Sequence, residues 1–306
     1  MTDKPPPVLL IAGPTASGKT ALAIEAARAL DGEIINADSM QIYREIPILS
    51  AQPGIEERGN IPHYLFGERS VAEPASVGWW ARRAQELIVE IQGRKRTPIL
   101  IGGTGLYFGA LTKGLAVIPP TTNEAREEAE RLEALGMEAL RLAAAEFDPV
   151  AAQRAMGDDR ARLRRIVEVG ETTGQAISEF QKETHPVLAA EEWSGIVIEP
   201  DRAALYGRIN ARFDAMLEAG ALDEARAVRG FDRSLPALKA VGLPPLLAHL
   251  DGELPLDKAC ELAKRDSRRY AKRQYTWFRN QCGAWSRIHA LDPDRARAEF
   301  QALGDR

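Results

Sequence analysis

The chain has 306 residues, 45% of them hydrophobic, and a formal net charge of −4, which suits one large or two modest globular domains. It holds no apolar stretch near the roughly 20 residues that cross a bilayer, and its proline-rich start lacks a signal-type apolar segment. Cys260 and Cys282 stand far apart and the histidines form no spaced pair, so no membrane anchor, disulfide framework or zinc centre is expected, and a cytoplasmic location is.

The first predicted strand, Val8 to Ala12, runs straight into Gly13, Pro14, Thr15, Ala16, Ser17, Gly18, Lys19 and Thr20. A helical pattern starts at Ala21. Strand, glycine-rich turn and helix in this order make a phosphate-binding loop. Its backbone N–H groups and the helix N-terminus cradle anionic oxygens. Lys19 adds a positive charge, and the Thr20 hydroxyl can ligate Mg²⁺. A second strand, Glu33 to Ala37, delivers Asp38. After a helical stretch from Val77 to Ile91, a third strand, Ile99 to Gly102, ends in Gly103-Thr104-Gly105. A loop-bearing NTP hydrolase would place a metal-binding aspartate there. Residues at the carboxyl ends of such strands line the ligand crevice, so Asp38 and Thr104 are expected at the mouth of the loop. Asp38 could also cap a following helix, alone or in addition.

From about Thr121 to Thr184 the strand–helix rhythm stops and the pattern is helical almost throughout, with Pro119-Pro120 and His185-Pro186 at its edges. Strands resume at Gly195 to Ile198 and at Trp285 to Leu291. The expected fold is therefore α/β: a parallel sheet covered by helices, with an inserted all-helical subdomain. The expected bounds are 1–118 and 187–306 for the core and 119–186 for the insert.

Charge is unevenly distributed. The insert begins acidic, from Glu124 to Glu138, and continues into Arg154, Arg160, Arg162, Arg164 and Arg165. A second basic run, Lys264 to Arg279, interleaves Arg265, Arg268, Arg269, Lys272, Arg273 and Arg279 with Tyr270, Tyr275, Trp277 and Phe278. Basic residues beside stacking-capable rings suit an RNA backbone with exposed bases. On the residues alone, three readings stand: an enzyme acting on RNA, a small-molecule kinase using ATP, and a nucleotide-gated RNA-binding protein.

Five blocks then appear in order: the phosphate loop, Asp38-Ser39-Met40-Gln41-Ile42-Tyr43-Arg44, Gly102-Gly103-Thr104-Gly105-Leu106-Tyr107, Arg162-Leu163-Arg164-Arg165, and Ala271-Lys272-Arg273-Gln274-Tyr275-Thr276-Trp277-Phe278-Arg279. Together, over nearly the whole chain, they resemble the tRNA dimethylallyltransferase (tRNA isopentenyltransferase) family. The resemblance implies transfer of a dimethylallyl group from dimethylallyl diphosphate to N6 of the adenosine on the 3′ side of the anticodon, with release of diphosphate. It implies a donor held by Gly13 to Thr20 with Mg²⁺ on Thr20, and catalytic roles for Asp38 as base, for Thr104 and for Arg212. It also implies tRNA contacts at Asp38, Ser39, Met40, Gln41, Thr104, Arg126, Ala161, Arg162, Leu163, Arg164 and Arg165, to which the basic helix adds Lys272 and Arg273. The expected partner is the tRNA anticodon stem-loop, and the chain is expected to act as a monomer. Two departures stand out. Gln52 replaces a family lysine, and Leu243-Pro244 replace a Tyr-Arg pair.

Overall fold

The computed structural model describes residues 5–155 and 159–304. In chain order the elements are β1 (Val8–Ala12), α1 (Lys19–Leu30), β2 (Gly32–Asn36), α2 (Ile55–Arg58), β3 (His63–Tyr64), α3 (Val77–Gly93), β4 (Thr97–Gly102) and α4 (Gly105–Thr112). There follow β5 (Leu115–Ala116), α5 (Asn123–Leu135), α6 (Met137–Phe147), α7 (Pro149–Arg154), α8 (Arg160–Thr173), α9 (Ile177–Phe180) and β6 (Thr184–His185). The chain closes with β7 (Trp193–Ile198), α10 (Arg202–Glu218), α11 (Ala221–Val228), α12 (Leu243–Leu250), α13 (Leu256–Gln281), β8 (Ser286–Ile288) and α14 (Pro293–Gly304).

Two compact units emerge, one from the residues up to Thr112 and from Leu188 onward, the other from Lys113–Val187. The first carries a six-stranded parallel sheet, in the order β3-β2-β4-β1-β7-β8, among the described residues. The strands are apolar because both faces are covered. Leu9 and Ile11 of β1, Ile34, Ile99, Ile101 and Ile196 pack under Leu22, Ala23, Ile24, Ala26 and Ala27 of α1. Each fully buried Ile or Leu is worth roughly 1.5–3 kcal/mol. The small alanines let α1 lie close to the sheet, which fixes the loop that opens it. β1 is central, so that loop emerges mid-sheet, at the carboxyl edge where ligands bind in open α/β sheets.

The second unit is helical, with the core of α5, α6 and α8 built from Ala129, Leu140, Ala144, Leu163, Ile166 and Val167. Its bounds begin earlier than the expected 119–186, because the antiparallel pair β5–β6 zips its two ends together: Leu115 faces His185 and Ala116 faces Thr184. Strands of two residues carry too little periodicity to stand out in the sequence. No helix among the described residues is long and apolar enough to cross a membrane.

Candidate active site

The phosphate loop joins β1 to α1. Ala16 takes a left-handed conformation, φ 65°, which is costly for a residue with a Cβ and is typical of loops shaped for a ligand. Lys19 folds back, its Nζ donating to Pro14 O at 2.8 Å. Ser17 Oγ is buried and has no hydrogen-bond partner among the described residues. A cavity of about 290 Å³ opens over the loop, walled by Thr15 to Thr20 and by Asp38, Gln41, Gln52, Arg208 and Arg212.

Its cations are desolvated. Burial draws the Lys19 ammonium down to about 8, against the raising influence of Asp38, while Arg212 adds a further lowering. Burial likewise lowers Arg212 to about 10, with Asp38 opposing and Arg208 assisting. Both stay protonated at neutral pH, and each feels the carboxylate of Asp38. The Arg212 guanidinium also donates to the Thr15 hydroxyl.

Asp38 is set by its neighbours rather than by a helix. Asn36, fully buried at the end of β2, donates to Asp38 O and to Leu65 O, both at 2.9 Å, and its Oδ1 accepts the Asp38 N–H at 2.8 Å. Trp80, stacked on Tyr107 at 4.1 Å, donates to the Asn36 carbonyl. Asp38 Oδ1 accepts the Met40 N–H at 3.0 Å in a local turn, and the next helix begins only at Ile55, so Asp38 caps none. Gly102 ends β4 where a Cβ would lie 1.9 Å from Ala37 O. That close approach brings the two strand ends together. Thr104 then donates its N–H to Ala37 O at 3.2 Å, and its Oγ1 accepts the Ser39 N–H at 2.9 Å.

A second cavity, of about 200 Å³, shares Thr15, Asp38, Ser50 and Arg212 with the first. Its wall is more apolar: Met40, Leu49, Ile209, Phe213, Met216 and Val241, with Ser39, Tyr270 and Arg273 at its edge. Glu224 of α11 holds this wall, accepting the N–H groups of Ile48 and Leu49 at 2.7 and 2.9 Å. Burial pushes the Glu224 carboxyl up.

The fold thus gathers Thr15 to Thr20, Asp38, Gln41 and Arg212 around one cavity, and Ser39, Met40 and Arg273 around its neighbour. Gly13 is buried, Pro14 receives Lys19, and Thr104 stands behind Ser39. Gln41 spends its amide on Ser50 O and Ala51 O, at 3.0 and 2.8 Å. Lys272 is elsewhere, exposed in a polar groove with Arg202, Arg279 and His289. The expectation that the rings of α13 are available for stacking needs correction. Tyr275 and Phe278 are buried, and Trp277 lies against Gly105, where a Cβ would fall 2.2 Å from its ring. Tyr270 alone of these rings lines a described cavity beside Asp38.

In the insert, Arg126 donates to Asn123 Oδ1 at 2.9 Å, and Ala161 is exposed. Leu163 is fully buried in the helical core and offers RNA no side-chain surface, a correction that follows from its place on the inner face of α8. The arginines beside it are paired. Arg164 meets Glu130 at 3.0 Å, Glu133 at 3.2 Å and Glu168 at 3.9 Å. Arg165 meets Glu168 at 3.6 Å and Thr121 at 2.5 Å, and Arg162 meets Asp159 at 3.2 Å.

The sequence does not mark Asn36, Arg208, Glu224 or Gln274 as site residues, and it marks Tyr270 only as a ring of the basic helix. Arg208 had a usable signal: it stands one helical turn before Arg212 and shares its face. Gln52 lines the cavity over the loop, and its amide donates to Tyr43 O at 2.7 Å, so this position contributes a neutral, tethered group.

Thr20 is the residue here that would hold Mg²⁺. Among the described residues no cluster of His, Cys, Asp and Glu could cage a metal. Thr20 lines the phosphate cavity with Asp38, a donor set that fits an ion taking most of its oxygens from a bound phosphate and water.

A family described as IPP transferase matches residues 41–281. The tRNA dimethylallyltransferase of Maricaulis maris (strain MCS10) is 57% identical over 302 residues, covering 98% of this chain and 97% of that protein. That of Caulobacter sp. (strain K31) is 50% identical over 289 residues, 94% of each. Among solved structures, the tRNA isopentenylpyrophosphate transferase of Bacillus halodurans superposes with a TM-score of 0.68 at 33% identity, over 97% of this chain and 96% of that one. A eukaryotic dimethylallyltransferase acting on tRNA superposes at 0.82 with 26% identity, over 97% of this chain and 77% of that one. With identity of this degree along almost the entire chain, and a phosphate loop facing a carboxylate at the heart of the fold, the chain belongs to the tRNA dimethylallyltransferase family.

Proposed function

We propose that the protein is a cytoplasmic enzyme that transfers a dimethylallyl group from dimethylallyl diphosphate to N6 of the adenosine on the 3′ side of the tRNA anticodon. One observation carries this reading: Lys19 and Arg212, desolvated and cationic, share a cavity with Asp38, and an apolar cavity adjoins it through Asp38 and Arg212. A diphosphate suits the first cavity and a five-carbon apolar group the second. The allylic carbon then lies between them, beside the carboxylate.

In the transfer, the N6 lone pair forms the new bond to the allylic carbon as the bond from that carbon to the diphosphate oxygen breaks. The electron pair leaves with the diphosphate, and Asp38 accepts the proton lost by N6. Lys19, Arg212 and the loop N–H groups stabilise the negative charge that grows on the leaving oxygen, the kind of electrostatic preorganisation that dominates many such reactions. Mg²⁺ on Thr20 would neutralise further diphosphate charge when bound. Thr104 holds the Asp38 loop through Ser39, which makes it a positioning group in this scheme. The tRNA stem-loop would be gripped through its phosphates by Arg273 and Lys272 and by Arg126, Arg162 and Arg165 of the insert.

The test is incubation with unmodified tRNA and either dimethylallyl diphosphate or ATP, followed by mass analysis of the released nucleosides. Adenosine heavier by one dimethylallyl group in place of a proton, only with the diphosphate donor, is expected. Consumption of ATP with unmodified adenosine would favour a kinase instead.

A further inference from the structure

Gln274 lies on α13, far in sequence from the loops it serves, and is only 5% exposed. Its Oε1 accepts the Thr15 N–H of the phosphate loop at 2.8 Å. Its Nε2 donates to Gly103 O, also at 2.8 Å. A Cβ at Gly103 would fall 2.2 Å from that nitrogen, so this position is kept bare for the amide. Each end of the bridge leads to reacting machinery. Thr15 receives the Arg212 guanidinium on its hydroxyl. The Gly103 turn leads into Thr104, which holds Ser39 and so the Asp38 loop.

We propose that Gln274 is a positioning residue that sets the separation between the phosphate loop and the Asp38 loop, so that leaving group and base stand in register. The proposal rests on the transfer reaction proposed above. An amide is suited to the task because it carries N–H donors and a carbonyl acceptor on two atoms bonded to the same carbon. A carboxylate keeps the acceptor for Thr15 but turns an anionic oxygen toward the Gly103 carbonyl. A protonated carboxyl restores both, its O–H replacing the amide N–H. The groups facing this amide are Asp38, whose Oδ2 lies 3.2 Å from the Cβ position of Gly103, and Tyr270. Arg212 stands behind Thr15, and Arg273 lies over the Tyr270 ring at 5.6 Å. Burial holds the Tyr270 hydroxyl well above its usual range, so it stays protonated through the pH window tested.

The experiment compares the unaltered protein with Gln274→Met and Gln274→Glu, measuring kcat and KM for both substrates across pH. Gln274→Met removes the bonds to Thr15 and Gly103, together with the contact to the Tyr270 hydroxyl, at similar volume. It should lower kcat by about 10–100-fold, as expected when reacting groups slip by a fraction of an ångström to an ångström, with less than about threefold change in donor KM. Gln274→Glu should be similarly impaired at high pH. Its rate relative to the unaltered protein should recover as pH falls and the buried carboxyl, whose pKa burial raises, takes up a proton. A Gln274→Met kcat within about twofold of the parent would overturn the proposal, as would a Gln274→Glu ratio that does not change with pH. If Gln274→Met does not fold, the pH ratio decides alone. Transfer by the unaltered protein is scored separately, because its absence counts against the proposed reaction and not against the bridge.

Discussion

The phosphate loop and the arginine face of the insert are both basic, yet they are built on opposite principles. In the loop, Lys19 and Arg212 are buried deeply enough to lose proton affinity, and their protein partners are mainly neutral: the Pro14 carbonyl and the Thr15 hydroxyl. The carboxylate of Asp38 is the opposing charge, and it is shared between them. In the insert, the arginines are partly to largely exposed and share a network of carboxylates: Arg164 meets Glu130, Glu133 and Glu168, and Arg165 shares Glu168. Two cations held close together and partly desolvated around one carboxylate cost stability until an anion arrives. Charge already paired at a surface costs little and offers little, because exposed pairs are worth about 0–1 kcal/mol. On the proposed reading, the loop is preorganised for a diphosphate, whereas the insert would have to exchange partners to receive RNA.

The largest effect expected from this contrast is on chemistry. Asp38→Asn keeps the shape of the loop but removes the proton acceptor, so prenyl transfer should fall by about 10²–10⁴-fold, the usual span for a general base. Donor and tRNA binding should persist in equilibrium assays. Unchanged turnover with a lowered Tm would reduce Asp38 to a structural turn residue.

Next comes Lys19→Met, which tests whether the loop is a strained site. Lys19 loses its proton at about pH 8 when folded, against 10.5 for the ordinary lysine value. Between these values the unfolded chain binds more protons, so stability rises with pH there, and below about pH 8 the charged lysine is a full cost to the empty protein. Lys19→Met should therefore raise the Tm of the unliganded protein at pH 7. It should also remove most of the further Tm increase that inorganic pyrophosphate gives by binding the native state. In the unaltered protein, pyrophosphate affinity should fall as pH rises through about 8. A lower Tm with an intact pyrophosphate response would refute the idea of stored charge.

These features differ in how far the sequence displays them. The phosphate loop is local: strand, turn and helix are contiguous, and their spacing alone marks Lys19 and Thr20. Asp38 and Thr104 were legible because strand ends line the crevice of a parallel sheet. Gln274 was not, since its partners Thr15 and Gly103 are separated from it by 259 and 171 positions and meet it only in the folded core. The rings of α13 misled for a related reason. A 26-residue helix shows basic and aromatic residues interleaved along the chain, but its buried face absorbs Tyr275 and Phe278 while the cations turn outward. In the insert, the basic run gave no hint that the preceding acidic run would neutralise it, because α5 and α8 pair only after the helices have packed.

The smallest expected effect sharpens the contrast most. If the insert arginines hold RNA phosphates, replacing Arg162, Arg164 and Arg165 together with Ala should weaken tRNA binding and flatten its salt dependence, since each lost phosphate contact removes roughly 0.7–0.9 units of slope. The contributions should be unequal. Arg162 is 70% exposed and meets one carboxylate, Asp159, among the described residues, so its charge is readily redirected to a phosphate. Arg164 is 30% exposed and held by three carboxylates, so leaving them offsets most of what a phosphate offers. Arg164→Ala alone should accordingly change tRNA affinity by less than about threefold, because most of what a phosphate gives this guanidinium is offset by the carboxylates it must leave. The converse follows from the same balance. Replacing Glu130 and Glu133 with Gln leaves Arg164 only Glu168 of its three carboxylates and removes two negative charges, so tRNA should bind a few-fold more tightly with a steeper salt slope. Binding of the diphosphate donor should not change in any of these variants. If Arg164→Ala weakens tRNA binding as much as the triple substitution does, the acids release their arginine in the complex, and the insert is as prepared for its ligand as the phosphate loop.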